Sequence, residues 1–270
     1  MPESSSPPVR RREKADRSTK AALTATRDLV ADKLTTHFAP HVREGETPID
    51  FGYLWDLLTR DVDGAENMLV GSDQENIEKK VLVKEKSKEK TEETTATRGQ
   101  LVNFRRNLEG GYGPEADERV GYAGPVPDET IAVMRLGKIV LGHVEDFEAL
   151  RLKALEHGSG EVDEKTVTKL KDRVSALEAS VKSFNEAVRD AEQALLRRQQ
   201  ALPEHDRVYG NVGRIAEGFC RLVKEDERAA RMRVSFRSIT RRSRNDQDVP
   251  PPVDEPPAPV EEPVEPVIVA

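Results

Sequence analysis

His37 and His41 stand four residues apart, the spacing at which one helical face can present two nitrogen ligands to a metal. Pro40 lies between them and disfavours helical geometry at Ala39, and no acidic partner follows at a ligand spacing, so no metal site is expected. His143 falls inside an apolar stripe with no acid or nucleophile spaced to assist it, so a buried, hydrogen-bonded core histidine is expected there. Cys220 is the single cysteine, which excludes an internal disulfide and a cysteine-based zinc site. With no histidine placed to activate it, its thiol is expected to be inert. Gly110-Gly111-Tyr112-Gly113 lacks the lysine and hydroxyl residue of a phosphate loop, and no HExxH, GxSxG or CxxC motif occurs. The carboxylates fall on periodic polar faces, where solvation accounts for them. The expectation is therefore no catalytic residue, no cofactor and no enzyme.

Residues suited to recognition are a better match. Phe51, Tyr53, Leu54, Trp55, Leu57 and Leu58 form the densest aromatic cluster in the chain. They predict either a core or a docking face in which Tyr53 and Trp55 anchor a partner. From Arg221 to Arg244 nine basic residues face three acidic ones, a net charge of +6. Its end, with Arg231, Arg233, Arg237, Arg241, Arg242 and Arg244, is a candidate contact for an anionic partner. From Asn245 onward the sign reverses, with seven acidic residues, no basic one and eight prolines. That composition predicts an extended acidic tail, able to compete with an anion for the arginines.

These residues need elements to hold them. From Lys165 to Leu202 the apolar positions Val167, Leu170, Val174, Leu177, Val181, Phe184, Val188, Ala191 and Leu195 step strictly by 3 and 4. That is an a/d heptad, which no strand can produce. The g positions read Arg173, Ser180, Ala187 and Ala194; after the first they are small and uncharged, which suits a helix within an antiparallel bundle better than a free coiled-coil rod. On this pattern Val174, Leu177, Val181 and Phe184 are expected to be buried. A helix is expected over 16–38, ended by Pro40, and another opens at Thr47-Pro48-Ile49-Asp50. Ser72-Asp73-Gln74-Glu75 reads as a capping box that opens a further helix. Residues 84–97 carry no large apolar side chain, yet lysine and glutamate favour helix through them over a hairpin. A helix from Asp128 to Glu156 carries Gly137 and Gly142, which predict close helix approach. Pro203 is expected to mark a turn at 201–204, giving three helices between 128 and about 237.

The organisation expected is a disordered basic arm over 1–15 and an N-terminal helical half over 16–109. A Gly/Pro linker over 110–127, a three-helix bundle over 128–240 and a disordered acidic tail over 241–270 follow. Hydrophobic content of 36%, aromatics of only 4% and charged residues of 34% suit an all-α, elongated antiparallel bundle more than a sandwich or barrel. No apolar run approaches the ~18 residues of a membrane span, and the first residues lack the apolar core of a signal peptide, so a cytoplasmic protein is expected. The leading expectation is a non-enzymatic scaffold working through a protein partner or self-association. The alternative is a nucleic-acid-associated protein using residues 221–244 gated by the acidic tail, although a net charge of −7 argues against a generic nucleic-acid binder.

Overall fold

The structure, a computed structural model, describes residues 5–144 and 164–232. Among them it is all-α, with no strand. The helices are α1 (Pro7–Phe38), α2 (Phe51–Tyr112), α3 (Glu115–Arg119), α4 (Thr130–Val144) and α5 (Glu164–Leu222), with a 3-10 turn at Ala39–His41 and a helical stretch at 226–232. The expected continuation of α4 to residue 156 and the acidic tail lie outside the described residues.

Several expected boundaries move. Ser72–Glu75 opens no helix, because α2 is already continuous through it and through 84–97. The α2 start falls at Asp50, whose Oδ1 accepts the Tyr53 amide hydrogen at 2.9 Å. Pro203 lies within α5 instead of at a turn. It is exposed, so water can solvate the carbonyl four residues earlier that the missing N–H leaves unpaired.

The chain divides into Met1–Leu69 with Ala201–Ala270, and Val70–Gln200. This differs from a division at residues 110–127, because the Gly/Pro stretch is packed and the boundary falls inside two long helices. In the first unit α1 runs antiparallel to the start of α2 and parallel to the end of α5. Arg27 pairs with Asp56 at 2.6 Å, and Lys20 pairs with Asp63 and Glu66. Thr19 meets Tyr209, and Arg12 meets Asp206. The core gathers Leu23, Val30, Leu34, Phe51, Trp55, Leu58, Val62, Val212 and Met232. Residues 5–15 are not a disordered arm here: α1 begins at Pro7 behind Ser6, and Val9 and Arg12 are buried.

In the second unit α5 runs antiparallel to both α2 and α4. Leu101, Phe104 and Leu108 of α2 pack with Val133, Val140 and Val144 of α4 and with Leu170, Val174 and Leu177 of α5. The stretch expected as a linker closes one side of this core. Val120, Tyr122 and Val126 are buried there, and the Tyr122 hydroxyl donates to the Leu101 carbonyl at 2.9 Å.

The two α4 glycines separate. A Cβ on Gly137 would lie 2.6 Å from Cγ2 of Val174, whereas one on Gly142 would meet nothing within 4 Å. The close approach expected at both exists only at Gly137. Gly137→Ala is therefore expected to destabilise by about 1–2 kcal/mol. Overpacking against a stiff valine costs roughly 1–3 kcal/mol, and alanine returns at most about 1 kcal/mol of helix propensity. Gly142→Ala should stabilise by about 0.5–1 kcal/mol. Thermal melts followed at 222 nm should show opposite shifts for the two variants.

Candidate functional site

Of the candidate docking aromatics, only Tyr53 faces solvent, at 53% exposure. Trp55 is 1% exposed, and its Nε1–H donates to the Leu23 carbonyl at 2.8 Å. Its ring lies 6.2 Å from that of Phe219, so it is a core residue and not an anchor. Helical geometry explains the split, since positions 53 and 55 point about 200° apart around α2.

Of the candidate arginines, Arg231 is exposed, while Arg233, Arg237, Arg241, Arg242 and Arg244 lie outside the described residues. The earlier part of the basic segment is engaged within the fold. Arg221 pairs with Glu217, and Arg228 pairs with Glu225 and donates to the Ala25 carbonyl. Lys33 also reaches Glu225. His37 and His41 both sit edge-on to Phe38, with ring centroids 5.0 and 6.4 Å away. Among the described residues no three His, Cys, Asp or Glu side chains gather as a metal would require. His143 is exposed, contrary to a core position, because the buried line of α4 runs through Val133, Gly137, Val140 and Val144. Burial pushes the Cys220 thiol up to about 11, which keeps it protonated at neutral pH.

The strongest polar constellation went unread in the sequence. In the first unit Asp16 and His205 are both buried, with His205 Nε2 2.9 Å from Asp16 Oδ2. His205 Nδ1 lies 3.2 Å from Asp206 Oδ1. Arg12 donates from Nε and Nη2 to the two oxygens of Asp206, each at 2.9 Å. The ring stacks on Tyr209 at 5.8 Å, and Tyr209 and Thr19 share a 2.6 Å hydrogen bond. A neutral imidazole has one N–H and could serve one carboxylate; only the protonated ring donates to both. Desolvation works against that charge, but the hydrogen bonds the ring donates to Asp16 and Asp206 outweigh it and raise the His205 pKa to about 9. Burial raises the Asp16 carboxyl from its ordinary value, and His205 opposes that rise. Asp16 Oδ1 makes no hydrogen bond. The network links α1 to α5 and clamps those helices together.

That clamp has a pH signature. A folded pKa above the unfolded value of ~6.5 stabilises fully at lower pH and is lost as pH rises through about 9. The first unit should lose about 3 kcal/mol between pH 7 and pH 10, at ~1.4 kcal/mol per pKa unit. Urea titrations read by Trp55 fluorescence check this, and His205→Gln should flatten the dependence.

A second buried acid lies in the other unit. Asp117 accepts from Arg105 Nε at 2.5 Å, and Arg105 Nη1 also donates to the Gly124 carbonyl at 3.0 Å. Burial, then a hydrogen bond with Glu109, pushes the Asp117 carboxyl up to about 6 against the pull of Arg105. This pair fastens the 113–126 loop to α2, beside an open hollow lined also by Pro114 and Ala123.

The remaining candidate is a surface, and it lies on α5. Between residues 178 and 200 the buried positions are Ser180, Ala187 and Ala194, the small g residues of the heptad. Val181 and Phe184 are only half-buried, where full burial was expected, and so are Val188, Ala191 and Leu195. The reason is the neighbour. Across from them α2 presents 77–93, in which no residue is buried. Lys79 pairs with Asp190, Arg173 with Glu93, and Lys90 Nζ stands 4.0 Å over the Phe184 ring. α4 gives no cover here. Its first residue, Thr130, meets Thr94 at 3.0 Å, and the helix then runs past Val174 and Glu178 towards the start of α5. Among the described residues the a/d stripe is therefore only partly covered: Val181 leans on the core of the second unit, Phe184 lies against the charged part of α2, and Val188, Ala191 and Leu195 lie level with the half-buried Ile77, Leu82 and Val83. No protein-family model matches the chain, and no curated protein or solved structure matches it either.

Proposed function

We propose that this protein is a non-enzymatic, cytoplasmic helical scaffold that acts through coiled-coil-like protein–protein contacts. The observation that carries this reading is the half-covered stripe Val181–Phe184–Val188–Ala191–Leu195, with Leu196 beside it at 56% exposure. A heptad kept in register over this length favours a helical partner, because apolar residues every 3.5 positions gain most from knobs-into-holes packing. Two supports are indirect. The buried Asp16–His205 network ties α1 to α5 and lies away from solvent, which suits a structural role. The described basic residues Arg221 and Arg228 are held by acidic neighbours, which weakens a polyanion-binding role for that part of the segment.

A photo-crosslinking residue placed at Val188 in cells, with Gln193 on the far side of α5 as control, tests the reading. Adducts to other polypeptide chains should form at 188 and not at 193. Absence of adducts at 188, together with tight retention of a DNA duplex at moderate salt by the intact chain, would shift the function to the nucleic-acid alternative.

A further inference from the structure

We infer that the α5 stripe pairs with the same stripe of a second copy of this chain, with the two α5 helices antiparallel. The inference rests on the scaffold reading and names its partner. The available face is formed by the half-buried Val188 and Leu195 and the exposed Leu196, flanked by the exposed Lys182 and Glu192. Its charges identify the occupant. Lys182 lies about one and a half turns before the middle of the stripe at residues 187–188, and Glu192 lies a little over one turn after it. A two-fold axis through that middle sets Lys182 of each copy level with Glu192 of the other, so two opposite-charge pairs form by symmetry. Parallel pairing would set Lys182 of the two copies on opposite flanks of the seam, so this opposite-charge pair would not form. The face is therefore self-complementary in the antiparallel orientation, as an isologous interface requires.

Packing points the same way. No large apolar residue is fully buried between 178 and 197 of α5, nor between 77 and 93 of α2, so the apolar seam of this helix pair (Ile77, Leu82 and Val83 with Val188 and Leu195) is only half covered. A second α5 lying along the stripe completes the cover, over Val188 and Leu195 from the solvent side. The small Ser180, Ala187 and Ala194 keep α2 close behind, leaving room for the added helix in front.

Sedimentation equilibrium of the full chain tests this, with Val188→Glu, Lys182→Glu, Glu192→Lys and the double charge swap. The parent should show a monomer–dimer equilibrium built on a 30.1 kDa chain. Val188→Glu should weaken it at least about tenfold, equivalent to ~1.4 kcal/mol. Each single charge reversal should weaken it several-fold at low salt, and the double swap should restore it, because the swapped charges again meet their opposites. A chain that stays monomeric at ~100 µM, well above a micromolar Kd, overturns the inference. So does a dimer indifferent to Val188→Glu, or one that the double swap fails to rescue. If the chain is monomeric while crosslinks from residue 188 reach other proteins, self-pairing fails and the scaffold reading stands.

Discussion

Asp16→Ala is expected to destabilise the first unit by about 3–5 kcal/mol, the usual cost of removing one partner from a buried ion pair. The substitution leaves the buried His205 ring with Asp206 as its one remaining carboxylate partner and its Nε2 without the Asp16 acceptor. The ring then loses the carboxylate that contributes most to its raised pKa, which falls. Two consequences separate this from ordinary cavity formation. The pH dependence of stability between 7 and 10 should shrink with the same substitution. Replacing both partners by leucine should recover much of the loss, since a well-packed apolar pair is often as stable as a buried ion pair. Chemical denaturation followed by fluorescence of Trp55, the only tryptophan, reads this unit directly. Equal losses for Asp16→Ala and for the double leucine variant would mean that the pair does not act as a unit.

Trp55→Ala is expected to cost about 3–5 kcal/mol, as large-to-small changes of a fully packed aromatic do. The side chain fills the centre of the first unit against Phe219 and gives its N–H to the Leu23 carbonyl. Tyr53→Ala, two residues away, should change stability by no more than about 0.5 kcal/mol, because that ring is half in water. Far-UV circular dichroism during denaturation compares the two without relying on tryptophan emission. A small effect of Trp55→Ala would return this residue to the surface and reopen the aromatic cluster as a docking face.

Apolar spacing revealed the helices but not what lies between them. The heptad of α5, the small g residues that let α2 approach, and the helical passage through 84–97 were all legible, since each depends on local propensity or period. α1 was read too short because its buried line runs Val9, Arg12, Asp16, Thr19, Leu23, Thr26 and Val30. The 3–4 rhythm is present there, but half its members are polar and become core residues only through partners about 190 positions away. The same blindness hid His205 and Tyr209, which continue into Val212, Ala216 and Cys220 as the buried line of α5's second half. A search for period in polar residues as well as apolar ones would have found both lines. The Gly/Pro stretch at 110–127 read as a linker because its composition outweighed Val120, Tyr122 and Val126, the three apolar residues that fasten it to the core. On α5 the opposite error arose. Regular spacing implied burial at Val181 and Phe184, but burial also needs an apolar neighbour, and α2 is lysine and glutamate there.

The openness of that stripe is the claim on which the functional account turns, and comparing Val188→Lys with Leu177→Lys tests it most directly. Leu177 is fully buried in the second unit, whereas Val188, three turns further along the same helix, is half-covered. Melts followed at 222 nm, at a concentration low enough to keep the chain monomeric, give the stability of each. The account predicts a change within about 1 kcal/mol for Val188→Lys, because the long side chain can extend into solvent, and collapse of the second unit's cooperative transition for Leu177→Lys. Equal damage from the two substitutions would contradict it, showing that the chain buries its own stripe and leaves no face for a partner.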